Sequence, residues 1–366
     1  ASGAKTPYIT SSPARVCLFG DHQDYLGLPV IAGTIDRFMN FEVCPTTTNS
    51  FIFDLSDLGQ HLEIPIDPAQ CYPQRAEIDF FRAGLRVAAR YGYTPKHGLR
   101  IHISSDIPVN AGVSSSSALV VGWLYTLALA FGNGTIPSRD QLGQMAFEAE
   151  VIEHQSPGGQ MDQYTIGHGG LVYINTGASI RVTPLSLPEM SLVLADSKIK
   201  KQTLSTIGSV RKRATDAFEQ IRQIDPNFSL EAARIKNLAE IIGHVSPELR
   251  HYAEAAVRNH EITLAALDEL KNKPPDLARI GTMMSAHHHE LSQVLKVSHP
   301  KIDQWIQMGL NHGAFGGKIV GSGHGGCCVF LVPEAKQNTL CHVLLEAGAP
   351  AVYPIKIDQG CHHTSS

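Results

Sequence analysis

The chain of 366 residues lacks the features that would place it in several broad classes at once. No apolar run approaches the roughly 18 residues of a membrane-spanning helix, and no signal-peptide pattern stands at the start. There is no Cys-x-x-Cys pair: the seven cysteines are scattered at 17, 44, 71, 327, 328, 341 and 361, an odd number in a chain that is not small. That usage fits a reducing cytoplasm rather than a disulfide framework. Charge is sparse, 17% of residues with a net −4, and no long basic block is present, so nucleic acid is not the expected partner. The strongest basic cluster, Lys198 to Lys201 with Arg211 to Arg213, is short and suits a phosphorylated small molecule or solvent. No repeat of roughly 20 to 50 residues is visible, and no low-complexity tract exceeds four serines. What is present is 43% hydrophobic residues in a chain long enough for two domains. The expectation is a soluble cytoplasmic protein with no membrane partner, a monomer or weak homodimer.

The most informative stretch runs from Asp106 through Val113-Ser114-Ser115-Ser116-Ser117 to Leu119. A β-branched run (Leu99 to Ile103) enters it and a run of helix formers (Ala118 to Ala130) leaves it. Strand, small-residue loop and helix make an anion site, because the N–H groups of a helix start point outward and its dipole favours negative charge. Serine hydroxyls add ligands for phosphate oxygens or a metal ion. A flexible serine linker would not be flanked by apolar runs of both periods.

Two further stretches carry polar groups at turns. Arg15 to Phe19 reads as a strand ending in Gly20-Asp21-His22-Gln23-Asp24-Tyr25-Leu26-Gly27. Two acids and a histidine exceed what a hairpin turn needs and suit a polyhydroxyl ligand. Ser138 is the expected N-cap of a helix from Arg139 to about His154, and Ser156-Pro-Gly158-Gly159-Gln-Met-Asp162 is a turn that delivers an acid. Helical spacing also marks Ile78–Tyr91, Ser209–Gln223, Leu230–Ile242, Pro247–Leu270 and Asp276–Leu295. Strand-like runs alternate with helices up to about 195, and helices dominate from there to about 310, so the boundary is expected near residue 195.

Some patterns mislead. Gly321-Ser-Gly323-His-Gly-Gly326 satisfies G-x-G-x-x-G, but a β-type run follows it, which excludes a dinucleotide fingerprint. No Walker-type loop exists around Lys318. Three consecutive histidines (287 to 289) point about 100° apart on a helix and cannot chelate one ion, so a surface role is expected. The pair His362-His363 reads as tail.

Taken in order, Pro13-Ala-Arg15 to Asp24-Tyr25, then Pro108 to Ala118, then Lys318 to Cys327, resemble the three motifs of the GHMP small-molecule kinases, which include galactokinase, homoserine kinase and mevalonate kinase. The resemblance covers essentially the whole chain, and the first motif and Gly159-Gln-Met-Asp162-Gln are most like galactokinase. It implies a two-domain α+β fold, residues 1–195 like domain 2 of ribosomal protein S5 and residues 196–366 ferredoxin-like, with the active site between them. It also implies ATP phosphates over Gly112, Val113 and Ser114 to Ser117, with Gly321 and Gly323 closing around them, and Mg²⁺ on Ser116 and Glu150. Asp162 would accept the proton of a sugar hydroxyl, Arg15 would steady Asp162 and the γ-phosphate, and Asp21, His22, Asp24, Gly158 and Gly159 would hold the sugar. The bottom-up chemistry is compatible: phosphoryl transfer needs positioning, charge neutralisation and a base, and a carboxylate beside a guanidinium stays ionised.

The departures concern the sugar. Asp21 stands where galactokinases have Glu, Gly208 where they have a sugar-contacting tyrosine, and Asp196-Ser197 where Asn-Ser is usual. The expected activity is ATP-dependent transfer to a sugar hydroxyl, the anomeric one, with galactose first. A heptose or other sugar-phosphate acceptor, mevalonate, and a non-catalytic sugar and ATP sensor are the alternatives. A sensor would usually lose the base or a metal ligand; Arg15, Ser116, Glu150 and Asp162 are all present.

Overall fold

The computed structural model describes residues 7–55, 59–67, 69, 78–186, 190–200 and 203–365. Residues 1–6, Asp57, Cys71 and Lys201 lie outside the described residues. In chain order the elements are β1 (Tyr8–Phe19), β2 (Val30–Pro45), β3 (Ser50–Leu55), β4 (Gln60–Pro65), α1 (Phe80–Arg90), β5 (Leu99–Ser105) and α2 (Ser115–Phe131). Next come α3 (Arg139–Phe147), α4 (Met161–His168), β6 (Leu171–Asn175), β7 (Arg181–Leu185), β8 (Ser191–Asp196), α5 (Thr203–Ile224), α6 (Ile235–Leu238) and α7 (Pro247–Leu270). The chain ends with α8 (Leu277–His289), α9 (Pro300–Asn311), β9 (Gly316–Ile319), β10 (Cys327–Val332), α10 (Gln337–Glu346), β11 (Ala351–Lys356) and β12 (His362–Ser365).

Two sheets organise the α+β fold. The first has eight strands in the order β12–β1–β2–β5–β3–β4, with β6 on β2 and β7 on β6. Its one parallel pair, β3 with β5, is joined across α1; the other pairs are antiparallel. The second sheet runs β11–β8–β10–β9, all antiparallel. Numbered within this sheet, that order is four-one-three-two, with helices between β8 and β9 and between β10 and β11, the ferredoxin-like arrangement the resemblance implied. The boundary expected at residue 195 falls inside β8, the first strand of this sheet, and the final strand β12 returns to pair with β1.

Burial explains both sheets. Leu192 and Leu194 of β8 join the core shared with the first sheet, while Val193 and Ala195 pack under α5 and α7. All six residues of β10 are buried, which is why its sequence is an unbroken apolar run. α2 is apolar around most of its circumference and runs through the core, with Trp123 fully buried.

Three expectations change. His287 is fully buried and His288 is 7% exposed, so two of the three consecutive histidines belong to the interior rather than the surface. They continue the inward face marked by Ile280, Met284 and Leu291, a 3.6-residue spacing that absorbs polar side chains when they find partners. His288 Nε2 lies 2.9 Å from Asp303, and its Nδ1 accepts the Ile319 N–H at 3.2 Å. The histidine pair at the C-terminus is strand β12, His362 edge-on to Phe38 and His363 3.1 Å from the Tyr125 hydroxyl. The helix expected over Leu230–Ile242 shrinks to the four residues of α6, because the Glu231 carbonyl is taken by His260 of α7 at 2.8 Å and Arg234 offers the helix no cap. Among the described residues, no helix is long and apolar enough to cross a membrane.

Candidate active site

The serine loop is shaped by left-handed backbone. Asn110, Gly112 and Ser114 have φ of 56°, 88° and 61°, alternating with Ala111 and Val113, and α2 starts at Ser115, three residues before the expected Ala118. The carbonyls turn inward: Ala111 accepts the Cys327 N–H at 2.7 Å, Gly112 the Arg15 guanidinium at 2.6 Å, and Val113 the Arg15 backbone N–H at 3.1 Å. With the carbonyls spent inside, the amides of the first turn of α2 are left for an anion, which the helix dipole also favours. Gly112, Ser114, Ser115 and Ser116 line a cleft of about 540 Å³. Val113, Ser117 and Gly323 do not: Val113 is core, Ser117 is buried, and Gly323 is a glycine because a Cβ there would overlap the Val297 carbonyl.

Asp162 sits in the first turn of α4, a helix where the sequence suggested only a turn. Arg15 Nε donates to its Oδ1 at 2.7 Å and the Ser114 hydroxyl to its Oδ2 at 2.5 Å. Arg15 is buried; burial alone would lower its pKa, but the Asp162 carboxylate more than offsets that and the guanidinium is held protonated. Asp162 keeps 28% of its side chain exposed, on the cleft side. The Ser114 contact went unforeseen, because only the left-handed φ of Ser114 swings its hydroxyl toward α4 rather than along α2.

Glu150 faces the serine loop from a π-turn, Glu148–Ile152, that continues α3; Ser138 caps that helix as expected, accepting the Gln141 N–H at 3.1 Å. The turn is pinned from outside by Arg86 and Arg90 on Glu153 at 2.8 and 2.7 Å and by the Tyr91 hydroxyl on Glu148 at 2.7 Å. Single π-turns inside helices recur at functional sites. Ser116 donates to Glu150 Oε1 at 2.7 Å, while Ser117 and Gln163 donate to Oε2 at 2.6 and 2.7 Å. Burial, with the nearby Asp162 charge, raises the Glu150 pKa.

The first motif divides. Asp21 is 1% exposed: its Oδ1 accepts the Gly321 N–H at 2.8 Å and its Oδ2 is ion-paired with Lys318, itself fully buried and also donating to the Cys17 and Ile319 carbonyls. His287 Nε2 stands 3.4 Å from the same carboxylate and 3.3 Å from the Gly20 N–H. Burial would raise the Asp21 pKa, but Lys318 and His287 together pull it well below the usual carboxylate range. His22 spans the same seam. Its Nε2 donates to the Ser322 carbonyl at 2.9 Å, which leaves Nδ1 to accept from the Tyr25 hydroxyl at 2.7 Å. The first and third motifs are therefore laced together, and Asp21 and His22, which also line the cleft, have their polar side-chain atoms engaged by protein.

Asp24 differs. Its Oδ2 accepts the Met161 N–H at 3.1 Å, and burial, reinforced by the Asp162 charge, pushes its pKa up to about 6. A Cβ at Gly159 would overlap this carboxylate, so the glycine is what lets Asp24 approach α4. Asp24, Gly158, Gly159 and Asp162 all line the cleft, with Gly321 across from them. Gly208 meets nothing within 4 Å of where its Cβ would stand, and its neighbour Ile207 lines the cleft instead.

Comparisons with known proteins give the family and the fold. The family profile of the GHMP kinases N terminal domain matches residues 80–170, that of the GHMP kinases C terminal matches 263–349, and the galactokinase galactose-binding signature matches 1–45. The chain is 27% identical to the galactokinase of Homo sapiens over 96% of its own length and 90% of that protein's. It is 24% identical to the mevalonate kinase of Thermococcus sibiricus, over 95% and 96%. Its fold superposes on Lactococcus lactis galactokinase complexed with galactose with a TM-score of 0.86 at 20% identity, covering 98% of this chain and 95% of that one. The chain belongs to the GHMP kinases, phosphotransferases whose acceptor is an alcohol group.

Proposed function

We propose that the protein transfers the γ-phosphate of ATP to a hydroxyl of a sugar, the anomeric one, in the manner of a galactokinase. The observation that carries this reading is Asp162, held between Arg15 and Ser114 at the mouth of the serine loop with one side open to the cleft. A base so placed can take the proton of an attacking hydroxyl while the Arg15 guanidinium keeps it oriented. The sugar oxygen bonds to the γ-phosphorus, the bond to the bridging β–γ oxygen breaks, ADP leaves, and the proton goes to Asp162.

The nucleotide phosphates lie along Gly112 and Ser114 to Ser116, where the α2 amides are available. Ser116 and Glu150 suit Mg²⁺: both offer oxygen, they already meet at 2.7 Å, and Ser117 and Gln163 hold the carboxylate in place. When bound, the ion supplies charge neutralisation on the phosphates. Asp24, with Gly158 and Gly159, holds the sugar hydroxyls, while Asp21 and His22 shape that wall from behind. The galactokinase signature over residues 1–45 and the acid-rich first motif favour a sugar over mevalonate, whose apolar body does not call for these acids. A coupled ADP-release assay with Mg²⁺ across hexoses, heptoses and mevalonate tests the reading. Turnover confined to mevalonate, or absent throughout, overturns it.

A further inference from the structure

The basic residues of α5 turn three ways. Lys212 is exposed and pairs with Asp216 at 2.7 Å, and Arg213 donates to the Tyr252 hydroxyl of α7 at 2.7 Å. Arg211 turns to the cleft, one helical turn after Ile207, which lines it. We propose that Arg211 is a positioning residue for the acceptor: it fastens the turn at 157–159 to the turn Asp24–Leu26, so that the wall a sugar meets is held as one piece. This rests on the sugar-kinase reading above.

Arg211 Nη1 donates to the Pro157 carbonyl at 2.9 Å, and its guanidinium carbon stands 5.9 Å from the centroid of the Tyr25 ring, within cation–π reach. Among the described residues it pairs with no carboxylate, so its charge is spent on that carbonyl and that ring. Pro157 stands two residues before Gly159, and Tyr25 one residue after Asp24. Gly159 and Asp24 are the pair whose close approach a Cβ would block, and Asp24 Oδ2 accepts the Met161 N–H at 3.1 Å just beyond. One side chain therefore grips both sides of that approach. Tyr25 is fixed in turn by His22, which lies edge-on to its ring and accepts from its hydroxyl at 2.7 Å.

The turn needs such an anchor. None of residues 156–160 is buried, Gln155 before them has a left-handed φ of 50°, and two of the five are glycines with no side chain to pack. A segment with so few buried contacts opens locally unless something outside it holds it. The nucleotide side has its own fastenings: Gly112 and Asp162 are held by Arg15, Asp162 also by Ser114, and Ala111 by the Cys327 N–H. None of these runs through Arg211, so its loss should be felt by the acceptor and not by ATP.

The test compares full-length wild type, R211M and, as a control on the exposed face of α5, K212M. R211M should raise KM for the preferred sugar by about tenfold, because the sugar wall loosens. KM for ATP should stay unchanged and kcat should fall by no more than roughly threefold, a split that general loss of folded enzyme would not produce. K212M should match the wild type. An unchanged sugar KM in R211M, or a KM for ATP that rises with it, overturns the inference. If R211M does not fold, R211K carries the test with the same signs, because lysine keeps the charge but reaches one partner rather than both. Hydrogen exchange over residues 156–163 needs no substrate and separates this inference from the kinase reading. First-turn amides of a helix lack intrahelical acceptors, so protection of Met161 depends on Asp24. Exchange there should quicken several-fold in R211M and stay as in wild type in K212M. Equal exchange in R211M and wild type overturns the fastening even in an active sugar kinase, whereas faster exchange without ADP release on any sugar upholds it and overturns the kinase.

Discussion

Asp162 and Asp21 each stand beside a buried cation on opposite sides of one cleft, yet Asp162 keeps 28% of its side chain open and Asp21 keeps 1%. The Asp162 side is half open: Arg15 donates to Oδ1 and Ser114 to Oδ2, and the rest of the carboxylate faces the cleft. The Asp21 side is closed. Lys318, the Gly321 amide and His287 use both oxygens, so its charge ties the end of β1 to β9 and α8. The same pairing of acid and cation thus leaves one carboxylate open to the cleft, as the proposed base must be, and closes the other into the seam between the first and third motifs. The largest effect that sharpens the contrast is Asp162→Asn. Losing the base should lower kcat by about 10²–10⁴-fold while ATP binding measured by calorimetry stays near wild type. Retained turnover would remove Asp162 from the chemistry.

On the other side, Lys318→Met should act on stability first. Breaking a buried pair leaves the Asp21 charge uncompensated and costs about 3–5 kcal/mol. The double variant with Asp21→Asn should recover much of that loss, because no lone charge remains. Urea unfolding monitored by fluorescence reads both, and a Lys318→Met protein as stable as wild type would show that the pair holds nothing together. If instead Asp21→Asn abolished turnover at unchanged stability, Asp21 would belong with Asp162 and the contrast would collapse.

The two sides were not equally legible in the sequence. The strand-loop-helix around the serines, the Ser138 cap and the Pro-Gly-Gly turn before Asp162 are local patterns, and the elements formed within a few residues of where the patterns placed them. The Asp21 side depends on partners nearly three hundred positions away, Lys318 and His287. A histidine in a run of three reads as a surface residue by composition, and nothing local to Lys318 or His287 reports that a carboxylate waits for them. The spacing Ile280, Met284, His287 and Leu291 could have placed His287 inward. The boundary expected near 195 falls inside β8 for a related reason: helix-rich sequence begins there, but the strand that starts the second sheet comes before the helices do.

Gly159→Ala tests the seam between the sides. The new Cβ would overlap the Asp24 carboxylate and push Asp24 from the Met161 amide. Overpacking of this kind costs about 1–3 kcal/mol locally, and the sugar kcat/KM should fall roughly tenfold or more, mainly through KM. Unchanged sugar KM would mean that the approach of Asp24 to α4 has no bearing on substrate.

The smallest expected effect is in pH dependence, and it reads the coupling between Asp24 and Asp162. Asp24 has its pKa pushed up to about 6, first by burial and then by the Asp162 charge. Below the ordinary 3.8 it is protonated whether the chain is folded or not; above that the unfolded chain loses the proton first, so Asp24's contribution to stability declines as pH rises through about 6. Sugar binding should move the opposite way. The ionised carboxylate is the stronger acceptor, so affinity should weaken as pH falls below about 6, and Asp24→Asn should remove that limb. In Asp162→Asn the repulsive charge is gone, so the limb should shift to lower pH. Calorimetric titration of sugar into each variant from roughly pH 4.5 to 8 follows this without turnover. A limb that stays in place when Asp162 loses its charge would separate the two carboxylates electrostatically and confine the role of Asp162 to proton transfer.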